Sequence, residues 1–211
     1  MNGVFKCILI EILVIIFTCL TVSCTRAKTF NGRVIDSDTK EPVEGVVVVA
    51  VWETETTTPT ATHSNLKDVK ECLTKKNGEW SVNGPKGRDE WPIPYMSLFI
   101  PYAKEPEFIV FKPGYCSWPN GFSIDACRDR MKIKGGKDER IGEGGTLELP
   151  KLTTKEGRWR AEGVRPPFMA EMLADKQKAK KIRNFLRLLN EERKFLGLNE
   201  YPISKELENE K

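Results

Sequence analysis

Residues 46–52 form an unbroken run of seven apolar side chains, which restricts the fold more than any other feature of the sequence. Five of the seven are valine, and β-branched side chains have few rotamers and pack well on an extended, pleated backbone. The run follows Gly45, has the length of a strand and does not alternate with polar residues. We therefore expect a strand that is buried on both faces or nearly so.

Shorter apolar runs separated by turn residues continue this pattern. Asn77-Gly78 is a strong turn signal, because both residues tolerate positive φ. Residues 53–65 contain six threonines and are expected to form an exposed excursion, and residues 116–145 are rich in turn residues. The sequence predicts a mainly β chain, a sandwich or barrel over residues 30–150. The expected strands are 30–36, 46–52, 71–74, 80–82, 96–100, 108–111 and 146–150.

A C-terminal extension, residues 151–203, changes to a helical period. We expect one amphipathic helix over about 168–196, with Gly197 as its C-cap and Pro202 as a stop. Its apolar stripe packs on the sandwich, or its basic cluster binds an anionic membrane or a partner. Residues 204–211 are expected to be disordered. The stripe is Met169, Met172, Ala179, Ile182, Leu186, Leu189 and Leu196, and the cluster is Lys176, Lys178, Lys180, Lys181 and Arg183.

Residues 1–23 have the organisation of a secretory signal peptide, with a short cationic start, an apolar centre and a small-residue exit. Glu11 and the shortness of the run argue against a permanent membrane span. The exit Leu20-Thr21-Val22-Ser23-Cys24 resembles a bacterial lipobox. That resemblance implies a lipid on Cys24, which tethers residues 24–29 to a membrane of the cell envelope. Ordinary cleavage nearby is the alternative.

Three cysteines follow Cys24, and an exported location permits disulfides. Cys116 and Cys127 are the favoured pair, since they are close in sequence and flank a loop; a bond from Cys72 to either one is the alternative. An odd number leaves one thiol without a partner inside the chain. We expect no metal site, because the chain has one histidine and lacks a Cys-x-x-Cys motif.

Three motifs, in order, resemble those of the carboxypeptidase regulatory-like domain family. The first is Gly32-Arg33-Val34-Ile35-Asp36, followed by Pro42-Val43-Glu44-Gly45. The second joins Thr74 to Gly78 and Trp80, with Asn77 in the turn. The third is a strand at 108–111 that ends in Pro113-Gly114-Tyr115. The motif positions with an expected structural role are Gly32, Asp36, Pro42, Gly45, Asn77, Gly78, Pro113, Gly114 and Tyr115.

The resemblance covers residues 30–115 and extends towards Leu149. It implies a seven-stranded, antiparallel, prealbumin-like β-sandwich without catalytic activity. In carboxypeptidases such a module sits beside the enzyme, and elsewhere it occurs in surface and export proteins. Insertions at 53–70 and 84–95 depart from the compact pattern of the family.

The residue inventory argues against an enzyme. His63, the single histidine, lies in the threonine-rich excursion, and a Ser-His-Asp triad would have to use it. The glycines at 135–136 and 142–145 lack the Lys-Ser/Thr of a phosphate-binding loop. A net charge of +4 is too small to indicate nucleic acid. We predict no catalytic residues, no cofactor and no nucleic-acid partner.

Aromatic residues in Pro/Gly-rich segments are the strongest functional signal. Trp91, Tyr95 and Trp118 are the candidate binding residues, because exposed rings stack on sugars or anchor a protein partner. The alternative is that they cover the ends of the core. We expect a structural or interaction module that contacts another cell-envelope protein, or else a carbohydrate- or peptide-binding module.

Overall fold

The computed structural model describes residues 27–58, 60–85, 102–103, 105–119, 125–162 and 169–208. The expected signal peptide, Cys24, Trp91, Tyr95 and the strand expected at 96–100 lie outside these ranges. The strands are β1 Thr29–Asp36, β2 Val47–Thr57, β3 Thr62–Leu73, β4 Glu79–Asn83, β5 Tyr102–Ala103, β6 Glu107–Phe111, β7 Lys132–Lys134 and β8 Glu143–Leu149. The helices are α1 Asp125–Arg128, α2 Lys155–Glu162, α3 Met169–Ala174, α4 Lys176–Lys180, α5 Arg183–Leu196 and α6 Pro202–Glu208, with a 3₁₀ turn at Lys137–Glu139.

The strands form two sheets. The β1 sheet has the order β4-β1-β8-β7; in the β2 sheet, β2 pairs with β3 on one side and with β5 and β6 on the other. Strands β1 and β8 run parallel, whereas every other pairing between the described strands is antiparallel. The expectation of a purely antiparallel arrangement is therefore wrong at this pair. A parallel pair needs a long connection, and here the rest of the sheet-forming region provides it.

Strand β2 is buried on both faces, as its valine run predicts. Val48, Ala50 and Trp52 belong to a cluster that fills the space between the sheets. Val47 and Val49, on the opposite face, belong to a second cluster formed with the C-terminal helices. We call these the inter-sheet cluster and the helical cluster. The molecule therefore has three layers, with β2 in the middle one.

Aromatic rings dominate the inter-sheet cluster. Phe108 of β6 contacts Phe30 of β1 edge-on, with ring centroids 5.7 Å apart, and lies 5.3 Å from Trp80 of β4. Trp52 of β2 is 6.2 Å from Phe30. Offset and edge contacts of this kind stabilise a core beyond the burial of their area. They join strands from both sheets.

Six of the seven residues of the apolar stripe pack on the outer face of the β2 sheet, as the first of the two interpretations predicts, and Leu196 is buried outside that cluster. The expected single helix is nevertheless broken into α3, α4 and α5. The Asp175 carboxylate accepts the N–H groups of Gln177 and Lys178 and caps α4, as aspartate at this position favours. Ile182, with φ −125°, separates α4 from α5. Within the basic cluster, Lys181 pairs with Asp68 of β3.

Charged side chains attach α5 to β3 and to α2. The Glu71 carboxylate of β3 accepts the N–H groups of Asn184 and Phe185, at 2.8 and 2.9 Å, at the start of α5. Arg158 of α2 holds Glu192 of α5 with Nε 2.7 Å from Oε1 and a second bond through Nη2. A further pair, Glu162 with Arg193, also joins α2 to α5. The placement of α5 therefore depends on directional polar contacts as well as on apolar burial.

Three other segments differ from expectation. The threonine-rich excursion is a β-hairpin, because β2 and β3 extend through it and threonine favours strands. The region 116–145 contains α1, β7 and the start of β8. The helix over Arg183–Leu196 ends at Gly197, before Pro202 as expected, but Pro202 begins a further helix, α6, since proline suits the first helical position. Residues 204–208 are therefore helical, with Ser204 and Leu207 buried, and the disorder expected there is wrong.

Strands account for about 36% and helices for 30% of the structure, so the chain is mixed rather than mainly β. No helix among the described residues is long and apolar enough to span a membrane.

Candidate binding groove

A groove of about 440 Å³ opens between the two sheets, where β6 faces the adjoining parts of β1, β7 and β8. This volume lies within the range of small-molecule and side-chain binding pockets. Its described lining combines an apolar floor with a charged rim. The lining residues are Phe30, Glu105, Pro106, Glu107, Phe108, Trp118, Pro119, Ile133, Glu139, Arg140, Ile141, Gly142 and Glu143.

The floor is well packed. Phe30 and Phe108 are held by each other and by the rings of Trp52 and Trp80 below them. Gly142 passes so close that a Cβ atom there would come within 2.4 Å of Phe108 Cε2. The glycine is required because a larger side chain would displace this ring. The floor is therefore a preformed apolar surface.

Trp118 stands at the side of the groove. Its N–H donates to the carbonyl of Val110 at 2.9 Å, and the N–H of Val110 donates back at 3.1 Å, which fixes its backbone beside β6. The disulfide between Cys116 and Cys127 lies next to it and confirms the favoured cysteine pair. Cys72 is the free cysteine among the described residues. Of the three candidate binding aromatics, Trp118 alone lies in the described part of the chain.

The rim carries an ion-pair network that links the two sheets. Lys28 Nζ lies 3.1 Å from Glu105, which precedes β6, and 3.1 Å from Glu143, the first residue of β8. Arg140 lies 3.0 Å from Glu105. The hydrogen bond from Lys28 lowers the pKa of Glu143. The rim therefore holds Glu143 as a carboxylate near neutral pH.

The motif residues lie in the framework. The Thr74 hydroxyl donates to the carbonyl of Val43 at 2.6 Å and accepts the N–H of Val46 at 2.9 Å. Asp36 accepts a hydrogen bond from Tyr115. Burial acts to raise the pKa of Asp36, but backbone N–H groups, Tyr115 and Lys151 together lower it. These contacts connect the first motif to the second and to the third.

The remaining motif positions serve turns and close approaches. Gly78, at φ +77°, would place a Cβ atom 2.3 Å from the carbonyl oxygen of Val34. The Asn77 side chain accepts the N–H of Glu79 and shapes the same turn. Gly114, in the turn after Pro113, has φ +79° and donates its N–H to Glu192. A Cβ atom at Gly32 would clash with the carbonyl oxygens of Ile141 and Gly145. Pro42 forms an isolated antiparallel β-bridge with Ile35, and Gly45 has φ +70°.

Sequence reasoning missed most of the groove. Phe30 and Phe108 occupy inward strand positions, but strand patterns do not reveal which strands become neighbours. Arg140 and Glu143 come from the segment 116–145, which was expected to be rich in turns, and Glu105 lies between two expected strands. Gly142 was a usable signal, since a glycine beside a strand indicates close approach of the backbone to another group.

His63 lies on the exposed end of β3, opposite Thr56 of β2. The described part of the chain contains no group of three or more His, Cys, Asp or Glu side chains that could hold a metal ion.

Fold and groove together define a mixed protein of two β-sheets and a helical third layer, with an apolar groove between its sheets. No family model matches the chain, and no curated protein or solved structure is significantly similar to it.

Proposed function

We propose that this protein is a non-catalytic interaction module of the cell envelope, which binds a segment of another protein in the groove. The observation that carries the proposal is the preformed floor of Phe30 and Phe108 beside Trp118. Rigid aromatic side chains that flank an apolar cleft are the usual anchors of protein recognition.

Membrane attachment is part of the proposal. The N-terminal pattern supports export, and the resemblance of residues 20–24 to a lipobox supports a lipid on Cys24. Mass spectrometry of the mature protein is expected to find a chain that starts at Cys24 and carries acyl mass. Cys24→Ser should lose detergent-phase partitioning, whereas Cys72→Ser should retain it. A mature chain without acyl mass would contradict the anchor.

The proposed fold is a prealbumin-like sandwich of the carboxypeptidase regulatory-like type. Its support is the mutual bonding of the three motifs, through Thr74 to Val43 and Val46 and through Tyr115 to Asp36. An experimental structure that aligned with such a domain over β1 to β8 would test it directly. A different strand connection would remove the resemblance.

The groove is tested with a photoreactive amino acid in place of Trp118 in living cells, and with the same replacement at Trp159. Trp159 lies on α2 and is 57% exposed, so it is an aromatic control away from the groove. Position 118 is expected to cross-link to one envelope protein, and position 159 is not. The captured protein must then bind the purified chain, with affinity lost in Trp118→Ala and kept in Trp159→Ala. Equal binding by the two variants would reject the groove as the site.

A carbohydrate ligand is the second candidate. Trp118 offers a ring for stacking, and the carboxylates of the rim accept hydrogen bonds from hydroxyl groups. Titration with neutral oligosaccharides, compared between the unchanged chain and Trp118→Ala, distinguishes this function from protein recognition.

A further inference from the structure

The charged side chains around the apolar floor indicate which kind of segment the groove binds; this inference rests on the proposed binding function. We infer that the groove takes an extended segment of a partner protein in which apolar side chains alternate with lysine or arginine. The apolar side chains enter the groove, and the cationic ones meet the carboxylates of the rim.

The floor determines the apolar half of this specificity. Seven apolar side chains line the described groove, and they come from both sheets and from the loops between them. An extended segment presents alternate side chains to one face, so it can insert apolar groups while its other side chains reach the rim. The seven are Phe30, Pro106, Phe108, Trp118, Pro119, Ile133 and Ile141.

The rim determines the charged half. Its described lining contains four carboxylates, Glu105, Glu107, Glu139 and Glu143, against one guanidinium, Arg140. Lys28 forms ion pairs with both Glu105 and Glu143, and Arg140 forms one with Glu105. The exposed carboxylates of Glu107 and Glu139 form no ion pair with the described residues.

This acidic rim departs from the +4 net charge of the chain. Three cations, Arg140, Lys28 and Lys137, stand against the four carboxylates, so one net negative charge remains, and it lies on the side of Glu107 and Glu139, which have no cationic partner among the described residues. An acidic segment would meet like charge, which selects against it.

Three acetylated, amidated octapeptides test the inference with the purified chain. The first alternates leucine and arginine, the second leucine and glutamate, and the third serine and arginine. Calorimetric titration at low salt is expected to show that the first binds at least about tenfold more tightly than either of the others. Its affinity should fall as salt is raised, since the rim charges are exposed.

Variants assign the effect to the rim. Glu107→Gln/Glu139→Gln should weaken the leucine–arginine peptide by about fivefold and reduce its salt dependence. Glu79→Gln/Glu156→Gln removes two exposed carboxylates outside the groove, on β4 and α2, and should change nothing beyond a small long-range effect. Unchanged binding in the rim variant, or equal loss in both, would overturn the basic specificity.

The outcomes separate this inference from the function beneath it. If the leucine–glutamate peptide binds as tightly as the first and Trp118→Ala weakens both, the groove binds peptides but the basic preference is wrong. If the serine–arginine peptide binds as tightly, the apolar half is wrong. If Trp118→Ala changes no binding at all, the groove function itself is rejected.

Discussion

The two clusters on either side of β2 are built differently, although the same strand contributes valines to both. The inter-sheet cluster contains aromatic rings in edge and tilted contacts and a disulfide, and strand pairing sets its geometry. The helical cluster is bordered by charged side chains, among them the half-buried Glu71 and the buried Glu192. Apolar burial has no direction, so it does not decide where an amphipathic helix lies on a sheet. Hydrogen-bonded charges supply that direction for α5.

The comparison is sharpest when one large ring is removed from each side. Phe185→Ala in the helical cluster and Phe108→Ala in the inter-sheet cluster should each lower the free energy of unfolding by about 4 kcal/mol. Both rings are buried and contact a neighbouring phenylalanine ring edge-on. Because β2 belongs to both clusters, urea unfolding should show one transition by circular dichroism and by tryptophan fluorescence. A separate, earlier loss of helix in Phe185→Ala would show that the helical layer unfolds independently.

Charge removal should affect the helical side nearly as strongly. The Glu192 side chain is 5% exposed and that of its partner Arg158 is 17% exposed. Glu192→Gln therefore leaves a mostly buried cation without its carboxylate and should lower the free energy of unfolding by about 3 kcal/mol. Glu191, the preceding residue, is the matched control: it pairs with Arg187, and the two side chains are 50% and 46% exposed, respectively. Glu191→Gln should cost less than about 0.5 kcal/mol. Equal losses in thermal unfolding would mean that the buried pair does not position α5.

The disulfide tests the inter-sheet side. Cys116→Ser/Cys127→Ser should lower the free energy of unfolding by about 2 kcal/mol, because the bond closes a short loop and both sulfurs are buried. Cys72→Ser is the control, with a smaller expected loss. Burial raises the pKa of Cys72 to about 11, so its thiol should alkylate slowly at pH 8 in the folded chain and rapidly after denaturation. Rapid alkylation of the folded chain would contradict that burial.

The smallest expected effect is in the pH dependence of folding stability, to which two carboxylates, Glu71 and Glu148, contribute with opposite sign. Burial raises the pKa of Glu71 under the helices, while hydrogen bonds from Lys134 and Lys40 lower the pKa of Glu148 in the β1 sheet. The stability from Glu71 is present below the ordinary carboxyl pKa and is lost as pH rises through the raised value. That from Glu148 is present above the ordinary pKa and is lost as pH falls through the lowered value.

Carboxyl-carbon NMR titration is expected to place Glu71 above the ordinary value of 4.5 and Glu148 below it. Glu71→Gln should remove a decline in stability with rising pH, and Glu148→Gln a decline with falling pH. Titration of the two groups in the reverse order would refute the assignment.

Local patterns in the sequence predict the elements that depend on local chemistry. The valine run predicts a strand buried on both faces, and Asn77-Gly78 predicts the turn before β4. The proximity of Cys116 and Cys127 predicts their bond. The breaks at Asp175 and Ile182 were missed because an apolar stripe continues through them. The groove was missed because it forms only when β1, β6 and β8 meet, and that depends on pairing between distant parts of the chain.

The parallel pairing of β1 with β8 has a consequence for how the chain is made. Strand β1 cannot pair with β8 until residues 143–149 have been synthesised, so the β1 sheet is completed only after all the other described strands have been made. Until then β1 has only β4 beside it and an open edge on the other side. A chain cut before Glu143 would keep that edge exposed, and it should aggregate or be degraded rather than accumulate as a smaller folded protein.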